Sequence, residues 1–107
     1  RCLGLSNFAA WQIVEIIHLA RARGWAPPTV TQALYNTISR GVENELLPMA
    51  QAYGIGTCAY NPLAGGLLTG KHRTGEDAVP ETLLAVNSDY RNLYWIDRQR
   101  AAAERVV

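Results

Sequence analysis

The sequence predicts an α/β fold built on parallel strands, and three observations lead there. Short apolar runs begin near residues 2, 29 and 55, about 27 residues apart. Segments with helical spacing of apolar residues separate them. Polar residues gather where each run ends: Ser6-Asn7, then Gln32 with Tyr35-Asn36, then Tyr60-Asn61. Consecutive strands joined through helices run parallel, because the crossover returns the chain to the same end of the sheet. The C-terminal strand ends carry the sites of (β/α)8 barrels and of open parallel sheets alike, so the spacing leaves both architectures open.

The first strand is read over Cys2–Leu5, continuing from Arg1. A helix follows in which Trp11, Val14 and Ile17, and again Ile13, Ile16, Ile17 and Ala20, recur three or four residues apart. Arg21 and Arg23 suit its C-terminal end, Gly24 its stop, and Pro27-Pro28 forbid continuation. Thr29–Leu34 is β-branched enough for the second strand. The next helix is expected over about 42–53, with Glu43 and Glu45 near its positive end and Gly54 beyond it. Pro48 predicts either a kink there or a short first turn with the main helix starting near the proline. Ile55–Tyr60 is the third strand. A polar, Gly/Pro-containing stretch then runs to about Asp89, with an amphipathic helix from Tyr94.

Composition narrows the classes. With 49% apolar and 18% charged residues, the 107-residue chain is made to bury a core, as at most one small domain. A net charge of +1 without blocks of like charge argues against nucleic acid as partner. The late arginines (Arg91, Arg98, Arg100, Arg105) read as a solvated helix face. No apolar run approaches the roughly 20 residues of a membrane span. Cys2 and Cys58, with no CxxC spacing, are expected as free buried thiols of a reducing, cytoplasmic compartment.

The chemistry is concentrated at Asn61-Pro62-Leu63-Ala64-Gly65-Gly66-Leu67-Leu68-Thr69-Gly70-Lys71, directly after the third strand. Glycines let main-chain N–H groups approach an anion, and the lysine adds a positive charge; the alternative is a glycine-rich turn that serves only chain reversal. Gly65-x4-Gly70-Lys71 has the glycines and lysine of a P-loop, but His72 stands where the Mg²⁺-binding hydroxyl belongs, which argues against ATP or GTP. Ser6 and Asn7 suit a planar amide, or simply a helix start. Gln32 either faces solvent or points into a site; its place on the same side as Val30 and Leu34 suggests inward, and a buried glutamine would need partners for both ends of its amide. Tyr60 is placed to stack on a planar heterocycle, although core packing is the commoner fate of a strand tyrosine. His18 and His72 lack ligand-spaced companions, so no metal site is predicted.

Taken together, Gly4-Leu5-Ser6-Asn7-Phe8, Gln32-Ala33-Leu34-Tyr35-Asn36 and Ala59-Tyr60-Asn61-Pro62-Leu63 resemble the sixth, seventh and eighth barrel strands of the aldo-keto reductase superfamily. The glycine loop, Gly24-Trp25, Tyr90-Arg91-Asn92 and Tyr94-Trp95 are similar to its aflatoxin aldehyde reductase branch. The resemblance implies a partial (β/α)8 barrel, its last three strands with their helices, from an enzyme that reduces aldehydes or ketones with NADP(H). It implies that Ser6, Asn7 and Gln32 hold the nicotinamide carboxamide and that Tyr60 stacks on the nicotinamide ring. Asn61, Pro62, Leu63, Ala64 and Gly65 would line the pyrophosphate, Lys71 a cofactor phosphate, and Tyr90 the carbonyl substrate. The family's catalytic Asp, Tyr, Lys and His belong to the first four strands, so the resemblance implies no catalytic residue here and an inactive isolated chain. Leu93 replaces an arginine of the branch, and no arginine lies between Thr74 and Asp89, which removes the reason to expect an acidic substrate. The alternative is a nucleotide-sensing, non-catalytic binding subunit of the same superfamily.

Overall fold

The computed structural model describes residues 2–72 and 75–107. Its contacts divide the chain into two compact units, Arg1–Tyr35 with Arg40–Tyr60, and Asn36–Ser39 with Asn61–Val107.

The first unit is the predicted strand–helix alternation: β1 (Gly4–Ser6), α1 (Ala10–Ala22), β2 (Val30–Leu34), α2 (Leu46–Tyr53) and β3 (Gly56–Tyr60). The strands form one parallel sheet in the order β1-β2-β3. Helix α1 buries Ala10, Ile13, Ile17 and Ala20, so the second of the two expected stripes faces the sheet. Trp11, from the first of those stripes, is exposed. Gly24 at φ 69° ends the helix, and the Trp25 N–H donates to the Ala20 carbonyl at 2.8 Å. A left-handed residue there turns the chain and satisfies an orphan carbonyl.

Of the two outcomes Pro48 allowed, the short first turn is the one found. A 3-10 turn over Gly41–Glu43 precedes α2, which begins at Leu46, and the first N–H to be bonded across a full turn is that of Met49 to the Glu45 carbonyl at 3.0 Å. Pro48 therefore sits where an N–H would have no intrahelical partner, and its missing donor costs nothing. Gly54 at φ 69° closes the helix. The core joins Ala10, Ile13, Ile17, Ala33, Leu46 and Met49, flanked by Leu5, Val14, Val42, Tyr53 and Ile55. Each fully buried isoleucine contributes roughly 1.5–3 kcal/mol.

At β2 only one face of the sheet is covered by the described residues, and at β3 residues 56–59 are all exposed. Thr31 and Ala33 are buried, while Gln32 between them is exposed. Parallel sheets are normally covered on both sides. Two expectations are corrected here. Gln32 does share a face with Val30 and Leu34, but that face is open, so the side chain is not buried. Cys58 lies on the same face, and both it and Cys2 are exposed free thiols rather than buried ones.

The second unit has no strand among its described residues. It contains a 3-10 segment over Ala64–Thr69 and three short helices, α3 (Leu83–Val86), α4 (Ser88–Tyr94) and α5 (Asp97–Glu104). The single amphipathic helix expected from Tyr94 is thus corrected: helical structure begins at Leu83, and Tyr94 closes α4 instead of opening a helix. The Asn87 side-chain oxygen accepts the N–H groups of Asp89 and Tyr90 at 3.0 and 3.1 Å, which starts α4 early. Ile96 is extended at φ −115° and ψ 145°, which separates α4 from α5. Leu84 and Tyr94 are fully buried in this unit. Among the described residues, no helix is long and apolar enough to cross a membrane.

Candidate functional site

In a parallel sheet, residues in register share a face. The pairings Ser6↔Gln32 and Gln32↔Cys58 set these three side chains in one row across β1, β2 and β3 on the open face. Tyr60, paired with Leu34, lies on that face two residues further toward the C-terminal strand ends. Gly4, Leu5, Ser6, Val30, Gln32 and Cys58 line a shallow depression of about 420 Å³ there.

Asn7 follows Ser6 at φ 59°, a left-handed conformation that asparagine tolerates better than most residues. Its N–H donates to the Gln32 carbonyl at 3.1 Å, and its side-chain oxygen accepts the Tyr60 hydroxyl at 3.1 Å. The sheet unit therefore brings Ser6, Asn7, Gln32 and Tyr60 together on one face. The serine hydroxyl and glutamine amide can each donate and accept, and the tyrosine contributes a flat ring. That donor set fits a planar carboxamide carried on an aromatic ring.

A cluster that sequence reasoning missed holds the chain after β2. The Tyr35 hydroxyl donates to Glu43 at 2.6 Å, and Arg40 grips the same carboxylate through two nitrogens at 2.8 and 2.9 Å. The Arg40 guanidinium and then the Tyr35 hydroxyl hold the Glu43 carboxyl below its ordinary pKa. Accepting that bond at Glu43 pushes the Tyr35 phenol up.

The second unit carries the glycine loop. Asn61, Ala64, Gly65 and Gly66 all have positive φ, at 54, 51, 65 and 100°. The Ala64 N–H donates to the Asn61 carbonyl and the Gly66 N–H to the Leu63 carbonyl, both at 2.9 Å. Those two amides close the turn, so the loop does not present every N–H to a ligand. Pro62 and Leu63 are exposed and Ala64 is fully buried. A Cβ on Gly66 would lie 3.6 Å from Lys71 Nζ and 4.0 Å from His72 Nε2, so the glycine leaves room where a cation and an imidazole converge. Lys71 itself is exposed.

His72 is buried, edge-on to Trp95 at 5.4 Å between ring centres. Its Nδ1 accepts the Val79 N–H at 3.3 Å, which leaves the proton of the neutral ring on Nε2. Burial first, and the Lys71 charge second, hold its pKa below the ordinary imidazole value. Trp95 also receives the guanidinium groups of Arg91 and Arg100 at 5.6 and 5.0 Å. Arg91 pairs with Asp77 at 2.6 Å, and Arg100 with Asp97 at 2.9 Å. These two arginines are tied to an indole rather than forming the solvated face expected of them.

Tyr90, expected at the substrate, donates its hydroxyl to the Asn61 side-chain oxygen at 3.1 Å. Asn36, buried at the exit of β2, donates to the Asn61 carbonyl at 2.9 Å and lies 3.4 Å from the Tyr94 hydroxyl. The sequence marked Asn36 only by its position after a strand; the recurrence of asparagine at 7, 36 and 61 was the available signal. Among the described residues no group of three His, Cys, Asp or Glu could hold a metal ion.

Comparison with known proteins gives one family model, that of the aldo/keto reductase family, matching residues 1–105. Aflatoxin B1 aldehyde reductase member 2 of Rattus norvegicus is 49% identical over 98 residues, covering 87% of this chain and 27% of that protein. The Homo sapiens protein of the same name is 46% identical over 98 residues, with the same 87% and 27% coverage. A probable voltage-gated potassium channel subunit beta of Oryza sativa is 38% identical over 91 residues, covering 84% of this chain and 27% of its own length. The chain thus spans 27% of the length of each of these relatives.

Proposed function

The chain belongs to the aldo/keto reductase family, in its aflatoxin aldehyde reductase-like branch, and from that premise we propose that it is the last three strands and helices of a (β/α)8 reductase that uses NADP(H) to reduce aldehydes or ketones. A closed barrel of this kind takes about 250 residues and eight strands. The whole protein, not these 107 residues alone, is then the enzyme. The observation that carries the reading is the common face of Ser6, Gln32 and Tyr60 at the C-terminal half of three parallel strands.

On this reading Ser6, Asn7 and Gln32 orient the nicotinamide carboxamide and Tyr60 supports the ring. Asn61, Pro62, Leu63, Ala64 and Gly65 follow the pyrophosphate, and Lys71 neutralises a phosphate. When bound, the dinucleotide supplies the hydride for carbonyl reduction. The residues of this chain bind and orient; none of them moves a proton. Tyr90 matches a position that faces the substrate in the branch. Leu93, which is exposed, offers no charge to a carboxylate-bearing substrate. The family members named as aflatoxin aldehyde reductases share more identity with this chain than the channel subunit does, which favours turnover over a purely sensing role.

Lys71→Ala in the full-length protein tests the reading. Loss of a charge-assisted hydrogen bond of roughly 1.5–3 kcal/mol weakens NADPH binding about 10- to 150-fold. Raising salt shrinks the difference from wild type, because the interaction is between charges. Equal dissociation constants at low and high ionic strength would remove Lys71 from the site.

A further inference from the structure

We infer that α4 is a positioning element for the Asn61–Gly65 turn, with Tyr90 acting through Asn61 and Gly65 rather than through its hydroxyl on a substrate. The inference rests on the cofactor reading of that turn given above. Tyr90 and Tyr94 are four residues apart on one helix, so their side chains project from the same face, with ring centres 6.3 Å apart. The Tyr90 hydroxyl donates to the Asn61 side chain at 3.1 Å. Its ring lies against Gly65 so closely that a Cβ there would come within 2.8 Å of Cδ1. Buried Tyr94 stands 3.4 Å from Asn36 Nδ2, and Asn36 in turn donates to the Asn61 carbonyl at 2.9 Å.

Asn61 is thereby held by its side chain from Tyr90 and by its main chain from Asn36, whose neighbour is Tyr94. This double hold falls on a stretch that needs it. Asn61 and Ala64 are left-handed without being glycine, and such conformations persist only where their surroundings over-determine them. The Asn61 carbonyl also accepts the Ala64 N–H at 2.9 Å, so a shift at Asn61 passes directly into the next bend. Asn87 completes the arrangement by fixing where α4 starts, through bonds to the N–H groups of Asp89 and Tyr90. An α4 tyrosine that merely filled space would leave the conformation of Asn61 to the loop itself.

Tyr90→Phe in the full-length protein removes one hydrogen bond and keeps the ring. NADPH dissociation constants, substrate KM, kcat at saturating cofactor, and amide hydrogen exchange at Ala64 and Gly66 are then measured for variant and wild type. The expected result is a 2- to 12-fold weaker NADPH affinity, the loss of one neutral hydrogen bond. Exchange at Ala64 and Gly66 accelerates, and substrate KM and kcat stay within about 2-fold. In an Asn61→Ala background, Tyr90→Phe adds nothing further to the NADPH constant, because the two act through one bond. A raised substrate KM with unchanged NADPH affinity overturns the inference and returns the hydroxyl to the substrate. Wild-type binding with equal constants and equal exchange in the variant overturns it alone, whereas no NADPH binding by the wild type overturns the cofactor reading and this inference together.

Discussion

The two units of the chain are held by different forces. The sheet unit rests on repeated apolar positions: Ile13, Ile17, Ala33, Leu46 and Met49 meet because helix and strand periods bring them to one side. The loop-and-helix unit rests on particular polar and aromatic pairs, Tyr90 with Asn61, Asn36 with the Asn61 carbonyl, and Trp95 among His72, Arg91 and Arg100. Periodic burial tolerates local change as long as the stripe survives. A set of individual contacts does not, since each has one partner and one geometry. The sheet unit thus withstands local change, and the loop unit shapes a turn whose conformation depends on single residues.

The sharpest break of that contrast is a core deletion. Ile17→Ala in the full-length protein is expected to cost about 2–5 kcal/mol in unfolding free energy, as for other buried large-to-small changes. Denaturant unfolding measures it, and a cost below about 1 kcal/mol would show that apolar packing does not dominate the sheet unit.

A pair of glycines refines the comparison. Gly24 in the sheet unit and Gly65 in the loop unit have nearly equal φ, 69 and 65°. A Cβ on Gly24 meets nothing within 4 Å, whereas one on Gly65 meets the Tyr90 ring at 2.8 Å. Gly24→Ala is expected to cost about 1–2 kcal/mol from left-handed strain alone. Gly65→Ala carries the same strain plus the collision, and it alone weakens NADPH binding. Equal costs with no change in binding would mean that Tyr90 gives way freely.

The smallest expected effect is a proton linkage in the loop unit. The folded-state pKa of His72 lies below its unfolded value, so the unfolded chain binds the extra proton more readily. The contribution of the neutral, buried ring is complete above about pH 6.5 and is lost as pH falls from there through the lower folded pKa. A single proton cannot give more than about 1.4 kcal/mol per pH unit. His72→Gln is expected to flatten the stability profile between pH 7 and pH 5; identical slopes would place the linkage elsewhere.

What was legible in the sequence follows the same division. The three strands, their parallel order and the two helices between them were readable because apolar spacing, Gly24, Gly54 and Pro48 each act locally. Strand ends moved by one or two residues, since pairing rather than propensity decides them. The burial of Gln32 and of the thiols was misjudged because alternation reports which side a residue takes, not whether that side is covered. In the loop unit, Tyr94 was assigned to the start of a helix it closes. Its burial depends on partners such as Asn36, distant in sequence, which no local period encodes. That Ser6, Gln32 and Tyr60 gather at one end of the strands was legible from the polar residues closing each apolar run; their common register and the hold of α4 on Asn61 were not.

The bond from the Tyr60 hydroxyl to Asn7 has a mechanical consequence. Tyr60 ends β3 and Asn7 follows β1, and β2 lies between those two strands. Neighbouring strands are about 4.8 Å apart, so the phenol has to reach sideways over the central strand instead of standing up from the sheet. It works as a cross-brace tying the outer strands together. The pitch of its ring is then inherited from the twist accumulated between β1 and β3, and any planar group resting on that ring is levelled by the sheet as a whole rather than by one side chain's rotamer.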